Sequence, residues 1–389
     1  METVRIGIIG IGNIGSAHAA GIYQGDIPGL TLSALCDNDP KRAEELRRDY
    51  PDVPVFSEAE EMMDSGLCDA VILSVPHYDH PPLAIMAFSK GLHVLTEKPA
   101  GVYCAKVREM IAAAKESGKI FAIMFNQRTN KLFSRAREIV QSGQLGELKR
   151  SVWIITNWYR KQSYYDSGSW RATWSGEGGG VLMNQAPHNL DLWQWICGMP
   201  TEIYANCGVA TAHNIEVEDE ATIFARYENG ATGTFITATG DYPGTNRLEI
   251  TGTLGKLIIE NKKMIWQKFS MSERDYCFSS DDVKMEIETV EIEDERYNGH
   301  HRILANFAKA ILEGTPLVAR GEEGISELTL CNAAYLSSWT GKPITLPMDE
   351  ALYYEELKKK IETSQGIREG VKVSHTEAGV YNDRWNTNW

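Results

Sequence analysis

Apolar and polar positions follow two textures along this chain, and the change falls near residue 125. From residue 4 onward, short apolar runs alternate with amphipathic stretches. Val4–Ile9, Leu30–Cys36, Val53–Phe56, Ala70–Ser74, His93–Leu95 and Ile120–Met124 read as short buried strands. Between them, Ile14–Tyr23, Pro40–Asp49, Ser57–Met63, Pro82–Ser89 and Val102–Ser117 carry helical spacing. Asp39 followed by Pro40 marks a helix start, an N-cap and then proline at the first helical position. Strands separated by helices predict a parallel sheet with helices on both faces.

Past residue 125 one more helix, Lys131–Gln141, precedes long segments that alternate with period two: Leu148–Asn157, Glu202–Val209, Glu218–Tyr227, Ala231–Thr239, Arg247–Thr251 and Lys256–Glu260. Asn229-Gly230 between two of them is a hairpin signal. The pattern predicts a mostly antiparallel sheet covered by helices at Gly180–Ile196, His300–Glu313 and Glu322–Thr340. The expected fold class is thus α/β: a first domain over residues 1–125, and a second α/β domain over 126–349 on a large open, mostly antiparallel sheet. A tail, 350–389, ends in Arg384-Trp385-Asn386-Thr387-Asn388-Trp389, and its pattern does not place it.

Composition narrows the function. The chain has 389 residues, enough for two cores, and 43% of them are hydrophobic. A net charge of −14 argues against nucleic acid or an anionic membrane as partner. No apolar run is long enough to span a bilayer, and the first residues lead straight into a strand, so no signal peptide is expected. Seven scattered cysteines without a CxxC pair predict reduced thiols in the cytoplasm, and no metal site is expected.

The chemistry starts at Gly10-Ile11-Gly12-Asn13-Ile14-Gly15, between the first strand and the first helix. Gly10 permits the tight turn, Gly12 lets a pyrophosphate approach the backbone, and Gly15 lets the helix pack on the sheet. The helix N-terminus offers free N–H groups and partial positive charge to the phosphates. Asp37 ends the second strand, where a carboxylate accepts both ribose hydroxyls and repels a 2′-phosphate. It favours NAD over NADP, although Lys41 and Arg42 follow. Ser74-Val75-Pro76-His77-Tyr78-Asp79-His80 leaves another strand end, so Ser74, Pro76 and His80 are expected at the cofactor, with His80 also suited to cap the next helix.

Glu97-Lys98-Pro99 follows the fifth strand. Proline biases Lys98 to an extended backbone, and an ammonium there can polarise a hydroxyl or carbonyl oxygen at a nicotinamide. The partner signal is Glu177-Gly178-Gly179-Gly180-Val181-Leu182-Met183-Asn184-Gln185-Ala186-Pro187-His188-Asn189-Leu190-Asp191. Asn184 and His188 share a face if the helix is continuous, and Asp191 is spaced to orient the His188 ring or to cap the structure. Histidine is the side chain best suited to take a proton near neutral pH. Trp158, Trp170 and Trp174, with Tyr159, Tyr164, Tyr165, Arg160 and Arg171, form an aromatic and cationic loop suited to a sugar ring and its hydroxyls.

GIIGIGNIGSAH, Asp37, SVPHYDH, TEKP and GGGVLMNQAPHNLDL, in this order and spacing, resemble the Gfo/Idh/MocA oxidoreductases over nearly the whole chain. The resemblance implies a Rossmann domain, a second domain whose open sheet serves substrate binding and oligomer contacts, and NAD(P)-dependent oxidation of a secondary alcohol on a sugar, polyol or glycoside. It carries the catalytic pair onto Lys98 and His188, one accepting the hydroxyl proton and the other stabilising the alkoxide. Where the family often has Asp, this chain has Asn184, which suits hydrogen bonding to substrate better than proton relay. The stretch SWRATW–EGGG–NQAPH is most similar to a branch that includes levoglucosan and glucoside 3-dehydrogenases. The expected cofactor set is Gly10, Gly12, Asn13, Ile14, Gly15, Asp37, Ser74, Pro76, His80, Glu97, Lys98, Asn126, Trp170 and Arg171. The expected substrate set is Lys98, Tyr159, Arg171, Asn184, Gln185 and His188.

Two other readings use the same residues. In one, transient oxidation is followed by elimination of an aglycone and re-reduction, with Tyr159, Tyr164 or Tyr297 as base. In the other, the scaffold is a non-catalytic sensor, which the presence of both Lys98 and His188 disfavours. A carbohydrate or polyol is the expected partner, together with further copies of the chain in a dimer or tetramer, since open sheet edges need covering.

Overall fold

The computed structural model describes residues 2–168, 170–295 and 298–366. Six strands form the first sheet: β1 (Val4–Ile9), β2 (Leu30–Cys36), β3 (Val55–Phe56), β4 (Ala70–Leu73), β5 (His93–Thr96) and β6 (Phe121–Ile123), in the order β3-β2-β1-β4-β5-β6. Every pairing is parallel. The chain reverses direction across the sheet between β1 and β4, which opens a crevice at the strand C-termini, the ligand position of open α/β sheets. Asp39 caps the helix Pro40–Asp49 by accepting from the Lys41 N–H at 2.9 Å.

Nine strands form the second sheet. They are β7 (Leu148–Ile155), β8 (Glu202–Val209), β9 (Glu218–Arg226), β10 (Thr232–Ala238), β11 (Asn246–Gly252), β12 (Gly255–Glu260), β13 (Lys263–Phe269), β14 (Ile287–Glu293) and β15 (Ile344–Thr345). Their order is β14-β13-β12-β11-β7-β10-β9-β8-β15, antiparallel except for the parallel pair β7 and β10. In that pair Trp153 and Phe235 lie in register, and Trp193 from the helix Pro187–Cys197 stacks on Phe235 from above, 5.5 Å between ring centroids. A side chain at Gly233 would collide with the Trp193 ring, so the glycine is what lets this helix settle on the sheet. Along β9, Ala221, Ile223 and Ala225 face the helices, while Glu220, Thr222, Phe224 and Arg226 face outward.

Several elements differ from the sequence expectation. The helix expected over Gly180–Ile196 is two, Val181–Asn184 and Pro187–Cys197. Proline lacks the N–H that would continue the first helix and serves instead at the start of the second. Strands β13 and β14 were unanticipated. The alternation in β14, Ile287-Glu288-Thr289-Val290-Glu291-Ile292-Glu293, is heavily acidic, and its charges are met across the ladder by Lys268–Glu288 (3.2 Å) and Lys263–Glu293 (3.1 Å). In the segment left unplaced, Glu350–Glu362 is a helix capped by Asp349, which buries Tyr353 and Leu357. The aromatic end of the tail lies outside the described residues.

Candidate active site

A cavity of about 680 Å³ runs along the C-terminal ends of β1, β2, β4 and β5 and reaches the loops and helices of the second sheet. At one end, Gly10 turns out of β1 with φ +84°, a conformation that favours glycine. Gly12, Asn13 and Ile14 line the wall; a Cβ on Gly12 would meet nothing within 4 Å, so this stretch of backbone faces open space. The helix Asn13–Tyr23 starts there with no side-chain cap. Gly15 is not in the wall; it packs against the Gly10 carbonyl, where any side chain would collide.

Asp37 lines the same end. Its Oδ2 accepts from the Ile11 N–H (2.8 Å) and its Oδ1 from the Asp39 N–H (2.9 Å), which fixes the carboxylate beside the glycine turn. Arg42 is turned beneath the turn: Nε donates to the Ile11 carbonyl (2.9 Å), Nη2 to Ser16 Oγ (2.8 Å) and Nη1 to Glu45 (2.8 Å).

In the middle, Ser74 and Pro76 line the cavity, and Ser74 Oγ is buried without a hydrogen-bond partner among the described residues. His80 does not reach the wall. It opens the helix His80–Ser89 fully buried, and Nδ1–H donates to the Pro99 carbonyl at 2.7 Å. The cavity histidine of this motif is His77. Its Nδ1–H donates to the Glu177 carbonyl (2.9 Å), and its ring meets Trp170 edge-on.

Glu97, Lys98, Tyr164, Trp170, Arg171, Asn184, His188 and His300 gather at the far end. Lys98 Nζ donates to the Asn184 carbonyl at 2.8 Å. The Asn184 side-chain amide donates to the Glu177 carboxylate and to Tyr164 Oη (3.3 Å). Tyr164 Oη also accepts from Arg171 Nη1 (2.9 Å) and Gln185 Nε2 (3.2 Å), while the Arg171 guanidinium lies over the Trp170 and Tyr164 rings.

Several predicted residues stand back from the wall. Gln185 is buried behind Tyr164. Asn126 is buried with its amide against His300 Nδ1 (3.3 Å), so it backs a wall residue without forming the wall. Tyr159, in the loop after β7, is 38% exposed and packs on Tyr242, outside the cavity. Asp191 does not orient His188; it forms a buried ion pair with Arg128 (2.7 and 2.8 Å). Trp158 and Trp174 are buried with their indole N–H groups bonded to Asn189 and to the Glu216 carbonyl, which makes them packing residues. Tyr297 lies outside the described residues. His300 and His77 were missed as site residues, although His77 stands inside the motif that pointed to His80.

Burial dominates the electrostatics of the far end. It holds His188 well below the ordinary histidine value, helped by the nearby Lys98 charge, and holds His300 at about 4. It lowers Lys98 and raises Glu177. Among the described residues, no cluster of three or more His, Cys, Asp or Glu could hold a metal ion, and no helix is long and apolar enough to cross a membrane.

A site with a glycine turn at one end and a lysine and histidine at the other matches known proteins in both halves. The pattern described as "Oxidoreductase family, NAD-binding Rossmann fold" matches residues 4–125, and "GFO/IDH/MocA C-terminal domain" matches residues 133–258. Myo-inositol 2-dehydrogenase of Thermotoga maritima is 25% identical over 343 residues, 85% of this chain and 95% of its own. Levoglucosan dehydrogenase of Pseudarthrobacter phenanthrenivorans is 24% identical over 295 residues, 68% of this chain and 75% of its own. The WlbA dehydrogenase of Bordetella pertussis, solved in complex with NADH and UDP-GlcNAcA, is 27% identical and superposes with a TM-score of 0.76 over 89% of this chain and 100% of that one. The chain belongs to the Gfo/Idh/MocA family, as an oxidoreductase of the dehydrogenase type with an NAD-binding Rossmann fold.

Proposed function

We propose that this enzyme oxidises a secondary hydroxyl of a sugar, anhydrosugar, glycoside or cyclitol, with NAD as hydride acceptor. The observation that carries this reading is that Lys98, from the end of β5, and His188, from a helix on the second sheet, line one cavity with the glycine turn. The residues fit a dinucleotide: bare backbone at Gly12, an uncapped helix N-terminus and the Asp37 carboxylate are the groups that would hold pyrophosphate and ribose. NAD is favoured over NADP because Asp37 repels a 2′-phosphate and Arg42 is committed to Ile11, Ser16 and Glu45.

When bound, the nicotinamide supplies the hydride-accepting ring. The chain's own residues handle the oxygen and its proton. His188, held neutral by burial, takes the hydroxyl proton on a ring nitrogen. The Lys98 ammonium, fixed by the Asn184 carbonyl, donates to the oxygen as negative charge develops there. Trp170 and Arg171 give the sugar an aromatic face and a hydroxyl donor. The outward side chains Phe224 and Tyr204, 37% and 47% exposed on adjacent strands of the large sheet, suit contacts in a homo-oligomer.

The test is NADH formation over a panel of hexoses, inositols and anhydrosugars, with Lys98→Ala as control. Turnover by that variant at the wild-type rate would end this reading. A second reading, redox-assisted glycoside cleavage, gains support from Tyr164, the one described tyrosine of its three base candidates that lines the cavity. Release of nitrophenol from a nitrophenyl glycoside without added NAD, and without net NADH, would favour it.

A further inference from the structure

Three carboxyls bear on the Lys98 charge: Glu97, Glu327 and Glu177. They differ in what meets their oxygens. Glu327, in the first turn of the helix Gly324–Thr340, is fully buried, and neither oxygen has a hydrogen-bond partner among the described residues. Burial and the neighbouring Asp191 push it well up, toward the neutral acid. Glu177 accepts from the Ala172 N–H (2.6 Å) and the Asn184 amide, yet burial still prevails and raises it.

Glu97 has a different partner. His18, in the helix that starts at the glycine turn, donates Nε2–H to Glu97 Oε1 at 2.8 Å. The Lys98 backbone N–H reaches the other oxygen at 3.3 Å. Both side chains are buried, His18 2% and Glu97 6% exposed. Burial alone would push the Glu97 carboxyl up; the His18 hydrogen bond, with the Lys98 charge beside it, outweighs burial and brings the carboxyl to about 2. The other groups that act on Lys98 supply no negative charge. Arg171 is a cation, and the rings of His77, His80, His188 and His300 are all held toward the neutral form.

We propose that His18 is a positioning residue that sets the charge on Lys98: by donating to Glu97 it keeps that carboxylate ionised, and the carboxylate keeps Lys98 an ammonium. The effect on turnover rests on the proposed role of Lys98 at the reacting oxygen; the charge coupling does not, and it can be read without turnover.

The experiment is reductive ¹³C-methylation of the full chain and NMR titration of its lysines, with the Lys98 signal assigned by its loss in Lys98→Arg. The His18→Leu change is expected to lower the Lys98 midpoint by about one pH unit or more. His18→Gln, whose amide N–H can reach the same oxygen, is expected to restore it, and the basic limb of kcat moves in the same order. Glu97→Gln reproduces the fall and stands in if His18→Leu does not fold. An unchanged midpoint in folded His18→Leu or Glu97→Gln protein overturns the inference, as does a midpoint that His18→Gln leaves low. A lowered midpoint alongside wild-type protein that turns over no sugar or cyclitol overturns the proposed activity and leaves the coupling standing.

Discussion

Lys98 Nζ and the Asn184 carbonyl oxygen, 2.8 Å apart, join the end of β5 to the short helix that precedes Pro187. The bond uses one of three ammonium donors and leaves the others to serve the cavity. Lys98→Met keeps most of the side-chain volume and removes the charge. The expected loss in kcat is about 10²–10³-fold, the cost of deleting one donor to a developing oxyanion. NADH affinity, read by fluorescence, is expected to change far less, because the glycine turn and Asp37 are untouched. A variant with wild-type kcat would remove Lys98 from the chemistry.

His188 predicts the acid limb of the pH profile. The proton acceptor must be neutral, and burial beside Lys98 holds its pKa well below the ordinary histidine value of about 6.5. Activity limited by His188 is therefore retained as pH falls through 6.5 and lost only in more acid solution. His188→Asn should abolish that limb and reduce kcat/KM by about 10²–10⁴-fold. A limb centred at or above the ordinary histidine value, in kcat/KM measured against pH, would contradict the buried setting.

Two glycines of one motif should fail in opposite ways. A Cβ on Gly12 meets nothing within 4 Å, so Gly12→Val should leave Tm nearly unchanged while its side chain enters the cavity and weakens NADH binding. Gly15→Val would strike the Gly10 carbonyl and should lower stability by about 1–3 kcal/mol, seen as a lower Tm before any cofactor is added. Thermal melts with and without NADH separate the two.

Cofactor choice should turn on Asp37. Asp37→Ser removes the charge that repels a 2′-phosphate and loosens the anchor on the Ile11 N–H. The expected outcome is about tenfold weaker use of NAD, near 1.4 kcal/mol, with improved use of NADP. The ratio of kcat/KM for the two cofactors is the measurement. A ratio that does not move would assign discrimination to other residues.

The sequence by itself determined most of the elements and the α/β class. Strand and helix periods are local, so β1, β2 and the helices Pro40–Asp49 and Lys131–Gln141 lie where the apolar spacing puts them, and Asn229-Gly230 turns where its backbone preference demands. The glycine turn was legible for the same reason: its requirement for positive φ and for missing side chains is a property of the residues themselves. The tertiary structure decided which side chains share a space. His77 lines the cavity, and His80, three residues on, is held in the interior by its bond to the Pro99 carbonyl. His300 joins Lys98 from a helix some two hundred positions later, and Arg128, not His188, claims Asp191. Such pairings depend on how helices seat on sheets, a long-range packing outcome that no local period records.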